Sequence, residues 1–329
     1  MGINHARVYG DMEGVELVAV ADLVPERRQL ATRGRNLRTY ADYRKMLVGE
    51  RLDLVSVAVP TGLHRQVALV TLGRGVPSLV EKPIAADLKE GRAILAAAEE
   101  TGTQLMVGHV ERFNPAVQEL KRRLEAGELG RVFLARAERV GPFPQRTRDV
   151  GVVQDLATHD IDIMRYLLAS EVERVYAETE VGLRTEHEDL LSAVMRFRGG
   201  VVGLLEVNWL TPTKVRRLAL VGERGMFVVD YLTQEILFYE RESVGASWPS
   251  LAALTGGGEG AMTRFPVEKQ EPLRAELEAF VKSVARGSPA PVPAVDALAA
   301  VEVASCLVES GRTGCVVQVR ARPVGGSGG

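Results

Sequence analysis

Short apolar runs alternate with amphipathic stretches along the first third of the chain. Val15 to Ala21 is mostly apolar and is followed by Asp22 and a polar helical segment from Pro25; it reads as a buried strand leading into a helix. The unit recurs as Leu54 to Val59 with a helix through about Leu72, and as Ser78 to Val80 with a helix through about Glu100. A last strand, Gln104 to Val107, ends the series. Continuous apolar strands need crossover connections to run parallel, so residues 1–125 are expected to form a Rossmann-type, doubly wound α/β domain with helices on both faces.

After a helix from about Asn114 to Glu125, the turn Ala126-Gly127-Glu128-Leu129-Gly130 changes the pattern and strands dominate. Val132 to Ala137, Val172 to Glu178, Leu190 to Phe197, Val201 to Trp209, Arg217 to Val221, Met226 to Asp230 and Glu235 to Phe238 follow one another closely. Turns such as Arg198-Gly199-Gly200 read as hairpins. With helices expected at Asp155 to Leu168, Pro272 to Arg286 and Val295 to Gly311, residues 126–322 should form an α+β domain with a large, mostly antiparallel sheet. The Gly- and Ser-rich stretch from Ser243 to Thr263 reads as a mobile loop, and residues 323–329 as a flexible tail.

Composition narrows the class. At 329 residues the chain exceeds what one core usually serves, and 46% hydrophobic with 26% charged residues is ordinary globular usage. The net charge of -2 lacks the basic surplus that neutralises nucleic acid. Cys306 and Cys315 do not make a disulfide scaffold or a metal-type spacing. No signal peptide or run long enough to span a bilayer is visible, so a reducing cytoplasm is the expected location.

The start of the chain departs from a doubly wound domain. Met1-Gly2-Ile3-Asn4-His5 reads as a helix start with no strand before it, and Gly2 resembles the third glycine of G-x-G-x-x-G. Asp22 lies about 20 residues later, the interval expected of a ribose-binding carboxylate; read without that context it is a helix N-cap. The expectation is that one strand and two glycines, roughly ten to a dozen residues, belong ahead of Met1. Without them cofactor binding should be poor.

Two motifs carry chemistry. Glu81-Lys82-Pro83 follows a buried strand, and Asp155-Leu156-Ala157-Thr158-His159-Asp160-Ile161-Asp162 opens a helix. With Asn4-His5-Ala6, Pro60-Thr61 and His64, Gly108-His109 and Arg112-Phe113-Asn114-Pro115, nearly the whole chain resembles the glucose-fructose oxidoreductase, inositol dehydrogenase and rhizopine catabolism (Gfo/Idh/MocA) family. The resemblance implies catalysis by Lys82, Asp155 and His159. It implies cofactor contacts from Gly2, Ile3, Asp22, Pro60, Thr61, His64, Glu81, Lys82, His109 and Arg112.

The residue chemistry agrees. Oxidising an alcohol by hydride loss requires its hydroxyl proton to leave, and histidine is a base near neutrality without tuning. Asp155 lies four positions before His159, on one helical face, and a cation at Lys82 stabilises a developing alkoxide. Pro83 keeps Lys82 extended. An Asp22 carboxylate favours NAD over NADP, although the nearby Arg27 and Arg28 leave NADP open. His159 with its neighbouring aspartates also reads as a metal cluster, a weaker reading in a family that works without metal. His5 and His64 read equally as structural, and the stripe Ala297, Val301, Ala304 and Val308 as core.

The stretches Val107 to Pro115 and Asp149 to Leu156 are more similar to family members that oxidise the 3-hydroxyl of UDP-N-acetylglucosamine than to inositol dehydrogenases. Arg146 and Arg148 would then hold a diphosphate, unless they form an ordinary basic loop. An inositol or monosaccharide dehydrogenase is the rival enzyme, and a non-catalytic sensor of the same fold the rival from another class. The resemblance implies a homo-oligomer, dimer or tetramer, while the charge and the lack of a long apolar run imply no nucleic-acid or membrane partner.

Overall fold

The computed structural model describes residues 1–32, 34–144, 150–182, 186–241 and 260–320. The chain divides into two compact units, Met1–Phe113 with Gln270–Val301, and Asn114–Lys269 with Glu302–Gly329. The single boundary expected after residue 125 is therefore corrected. It falls at Asn114, and a late segment returns to the first unit because Leu273, Leu277 and Phe280 bury with Val8, Tyr9, Leu79 and Met106. Each such side chain contributes about 2 kcal/mol by leaving water. Residues 323–329 lie outside the described residues.

The first unit runs α1 (Gly2–Gly10), β1 (Ala19–Ala21), α2 (Pro25–Thr32), β2 (Arg38–Tyr40), α3 (Tyr43–Gly49), β3 (Val55–Val57), α4 (His64–Gly73), β4 (Ser78–Glu81), α5 (Leu88–Thr101) and β5 (Leu105–Gly108). Asp87 caps α5 by accepting from the Glu90 N–H, and Gly102 ends it in the left-handed region at φ 62°. Neighbouring strand residues point to opposite faces: Leu79 and Met106 join the layer of α1 and the helix Pro272–Arg286, whereas Val80 and Val107 join that of α3, α4 and α5. The sheet is thus covered on both sides, as its continuous apolar strands predict.

All pairings in this unit are parallel, but the sheet is in two pieces, β1-β2 and β3-β4-β5. Among the described residues, β1 and β3 are each hydrogen-bonded on one side only. Two expected strands are correspondingly shortened, Val15–Ala21 to Ala19–Ala21 and Leu54–Val59 to Val55–Val57. A ladder extends only as far as a partner does. The strand β2 and helix α3 had no periodic signal that separated them from loop.

The second unit begins with α6 (Pro115–Glu125), capped by Asn114, whose side chain accepts from the Ala116 N–H. Among the described residues its sheet has nine strands: β6 (Val132–Pro142), β7 (Val172–Val181), β8 (Glu188–Phe197), β9 (Val202–Asn208), β10 (Leu210–Gly222), β11 (Gly225–Asp230), β12 (Glu235–Glu240), β13 (Met262–Phe265) and β14 (Val317–Gln318). Their order is β13-β12-β11-β10-β6-β9-β8-β7-β14, antiparallel throughout except for the parallel pair β6 and β9. The expected loop from Ser243 to Thr263 is corrected at its end, where Met262 and Thr263 pair with β12; 243–259 lie outside the described residues. Helix α7 (Thr158–Leu168) follows a π-helical turn, Val153–Ala157. Among the described residues, no helix is long and apolar enough to cross a membrane.

Candidate active site

In the first unit, the candidate groups gather at the carboxyl ends of the parallel strands, where doubly wound domains bind ligands. Lys82 follows the last residue of β4, half-buried, and a cis peptide bond joins it to Pro83. Beneath it, Glu81 is buried, with Oε1 2.7 Å from Nε2 of the buried His5 in α1. Burial by itself would raise the Glu81 pKa, but the His5 hydrogen bond and the His5 and Lys82 charges hold the carboxyl below its usual range. Gly108 faces Glu81 across the ladder; an added Cβ would come within 3.3 Å of Glu81 Oε2.

His64 is also buried, with Nδ1 2.9 Å from the Pro83 carbonyl and Nε2 2.9 Å from the Val59 carbonyl. Burial lowers its pKa, partly opposed by those backbone acceptors. A neutral ring donates to one carbonyl only, so the geometry asks for two donors while burial disfavours the imidazolium; burial is the larger effect. Either way, the imidazole is spent on tying the Lys82-Pro83 turn to the end of β3. Arg112 pairs with Asp296 at 3.0 Å, and His109 is buried at the end of β5.

The dinucleotide end is built from α1, β1 and the turn Thr61–Leu63. Met1, Gly2, Ile3, Asp22, Arg28 and Pro60 line one cavity. α1 presents the backbone N–H groups of Gly2 and Ile3 at its start, while those of Asn4 and His5 bond to the Met1 carbonyl. Asp22 Oδ1 accepts from the Val24 N–H at 2.8 Å, leaving its second oxygen for a ribose hydroxyl. These features fit a dinucleotide: helix N–H donors for phosphate and a carboxylate beyond the second strand. Gly2 is less constrained than a third fingerprint glycine, since an added Cβ would meet Ala58 Cβ at an ordinary 3.7 Å.

In the second unit, Asp155 and His159 share one helical segment. The α-helix expected over Asp155–Leu168 is corrected: Asp155 sits in the π-helical turn and His159 in the first turn of α7. Both are half-buried. The neighbour of His159 in α7 is held by a buried ion pair. Asp160 is fully buried and takes Nε and Nη2 of Arg139, at 2.5 and 3.0 Å. Arg139 also stands 5.1 Å from the centre of the Tyr231 ring. Gly151, just before the turn, packs so closely on His187 and Glu188 that a Cβ would overlap Glu188. Arg146 and Arg148 lie outside the described residues, and among those described no three His, Cys, Asp or Glu side chains are grouped to hold a metal.

Two residues escaped the sequence reading, Arg139 and Glu276, as did the pairing of Arg139 with Asp160. Glu276 is fully buried in the first unit, its carboxyl oxygens without hydrogen-bond partners, and burial followed by the Glu81 charge raises its pKa well above the usual range. A charged residue inside the stripe Leu273, Glu276, Leu277, Phe280 was the signal that marks it.

Comparisons with known proteins bear on the family and the fold. Residues 1–109 match the model "Oxidoreductase family, NAD-binding Rossmann fold", and 117–228 match "GFO/IDH/MocA C-terminal domain". The chain is 30% identical over 289 residues to UDP-N-acetylglucosamine 3-dehydrogenase of Acidithiobacillus ferrooxidans, covering 88% of this chain and 87% of that protein. A solved structure of that enzyme superposes with a TM-score of 0.82 at 27% identity, over 94% of this chain and 93% of that one. The scyllo-inositol 2-dehydrogenase (NAD(+)) of Bacillus subtilis is 25% identical over 331 residues, covering 97% and 93%.

Proposed function

Because the chain belongs to the Gfo/Idh/MocA oxidoreductase family, with an NAD-binding Rossmann unit, we propose that it moves a hydride between NAD and a secondary alcohol carbon of UDP-N-acetylglucosamine or a close nucleotide sugar. NAD, when bound, supplies the hydride acceptor. Phosphates are held at the Gly2 and Ile3 N–H groups, and Asp22 takes the ribose. His109 and Arg112 flank the nicotinamide end, with the turn at Pro60 and Thr61.

His159 removes the hydroxyl proton of the substrate, and Asp155 orients the imidazole or holds an adjacent hydroxyl. Lys82 stabilises negative charge on the substrate oxygen. Glu81 and His64 act as positioning residues beneath the Lys82-Pro83 turn. Arg146 and Arg148 recognise the diphosphate. A homo-oligomer working in the cytoplasm completes the reading.

The observation that carries the proposal is the anchoring of each candidate group. Lys82 stands on a strand end fixed by the His5 and Glu81 pair and by His64, and His159 beside the buried Arg139 and Asp160 pair. The test is reduction of NAD+ in the presence of UDP-N-acetylglucosamine, myo-inositol and free monosaccharides. Turnover of the nucleotide sugar alone supports the reading. Turnover of myo-inositol alone would replace it with the inositol reading that the Bacillus subtilis relative suggests, and NAD binding without any turnover would favour a sensor.

A further inference from the structure

The helix Pro272–Arg286 carries a carboxyl group into the core of the first unit. Glu276, on the same helix as the buried Leu273, Leu277 and Phe280, is fully buried, and neither of its oxygens has a hydrogen-bond partner. It stands close enough to Glu81 for the two charges to oppose each other: burial, then the Glu81 charge, raises its pKa well above the usual range. The two carboxyl groups are not equivalent. Glu81 has His5 Nε2 at 2.7 Å and the Lys82 charge beside it, and is held below the usual range in spite of its burial. Two carboxyl groups that oppose each other in one buried site ionise one at a time, the partnered one first.

Most other charges packed against this helix have partners of their own. On α1, Arg7 pairs with Glu271 and Asp11 with Arg35, while the Tyr9 hydroxyl lies 2.8 Å from Ser56 Oγ. Burial, opposed by the Ser56 bond and reinforced by the Glu276 charge, raises the Tyr9 pKa, so the phenol stays neutral. On the turn Val110–Phe113, Arg112 pairs with Asp296, and Glu111 is half-buried. On the helix itself, Arg274 and Lys282 each pair with Glu278. β4 brings Glu81, and β5 brings no charged side chain.

While Glu276 keeps its proton, the carboxyl pair beneath Lys82 holds one negative charge, on Glu81. Each negative charge behind the ammonium weakens the potential it presents to a substrate oxygen. Ionising Glu276 adds a second such charge, in an interior where water screens little. We propose that Glu276 is a positioning residue for Lys82: its protonated carboxyl keeps the buried charge beneath the lysine single, and loss of that proton in alkali doubles it and slows turnover. The effect on turnover rests on the reading of Lys82 as the cation that meets the substrate oxygen, whereas the coupling of the charges does not.

The test is the rate at which acetic anhydride acylates the Lys82 amine, followed by peptide mass spectrometry between about pH 6 and about pH 10 in the full chain and in Glu276→Gln. Only the unprotonated amine reacts, so a neighbouring negative charge slows acylation by favouring the ammonium. Near pH 6 the two proteins should react alike, because each holds a neutral group at position 276. At about pH 10 Glu276→Gln should react at least about threefold faster. Tyr9→Phe should behave as wild type, which assigns the alkaline change to the carboxyl group. An equal rate at every pH, an excess in Glu276→Gln already present near pH 6, or an excess that Tyr9→Phe reproduces would overturn the proposal.

Should Glu276→Gln fail to fold, infrared spectra of the wild-type chain with labelled glutamate decide the matter. A protonated glutamate carboxyl is expected at pH 7, and its absence would equally overturn the proposal. In a turnover assay, kcat of the wild type should fall in alkali at the pH where the acylation rates part, and Glu276→Gln should hold its kcat to higher pH. No turnover at any pH, with the acylation rates still parting, would strike the dehydrogenase reading alone. Coincident acylation rates with turnover intact would strike the role of Glu276 alone.

Discussion

The Nε2 atom of His5 and Oε1 of Glu81 lie 2.7 Å apart in the interior of the first unit, one residue before Lys82. A helix that opens the chain and the strand that carries the candidate cation are thereby joined by a single buried contact.

Replacing His5 with leucine leaves the Glu81 carboxylate buried without that partner. The expected loss is about 2–4 kcal/mol at pH 7, read from urea unfolding. Since the folded-state pKa of Glu81 is depressed, its contribution is present above the ordinary value of 4.5 and disappears as pH falls through the folded value. The gap between wild type and His5→Leu should therefore close in acid; a gap that widens there would contradict the pairing.

Glu276 has the opposite sign. Its raised pKa means that its contribution is whole below 4.5 and is lost as pH rises through the folded value. Glu276→Gln, which holds a neutral group of the same shape, should match wild type in thermal unfolding near pH 4.5 and melt higher at pH 8. A lower melting temperature at pH 8 would rule out a neutral buried acid.

Arg139 and Asp160 form a buried bidentate pair beside His159. Asp160→Ala strands the guanidinium and should cost about 3–5 kcal/mol. The double variant Arg139→Met with Asp160→Leu should recover much of this stability in denaturant titrations. Recovery of stability without return of turnover would separate the pair's part in the site from its part in stability.

For the chemistry, His159→Asn and Lys82→Met should each lower kcat by about 10²–10⁴ while NAD binding, followed by fluorescence or calorimetry, changes little. Retained turnover in His159→Asn would remove it as the base. His64→Phe, in contrast, should act through the turn at Pro83 and lower both turnover and stability.

Asp22→Ser removes the carboxylate proposed to discriminate against a 2′-phosphate. Competition binding should show NAD weakened and NADP strengthened relative to wild type, roughly tenfold between them. An unchanged ratio would assign the discrimination to Arg27 and Arg28.

The helices and strands with a strong period were legible because periodicity is a local property: Pro272–Arg286 was read with its observed bounds, and β7, β8, β11 and β12 to within a few residues. Strands β2, β13 and β14 are short and held by pairing, so their sequences carried no comparable signal. The lysine and histidine motifs stood out because a proline after a strand and a carboxylate one turn before a histidine are visible in the order of residues.

By itself, the sequence determined the fold class and the two-part design and singled out candidate residues for the chemistry, since side-chain chemistry and hydrophobic period are written along the chain. Only the tertiary structure decided that His5 pairs with Glu81, that Arg139 grips Asp160 and that the helix Pro272–Arg286 packs with the first unit. It also decided where the parallel sheet parts around a cavity. Those facts depend on which distant segments bury together, and burial is settled by the folded whole rather than by neighbours in sequence.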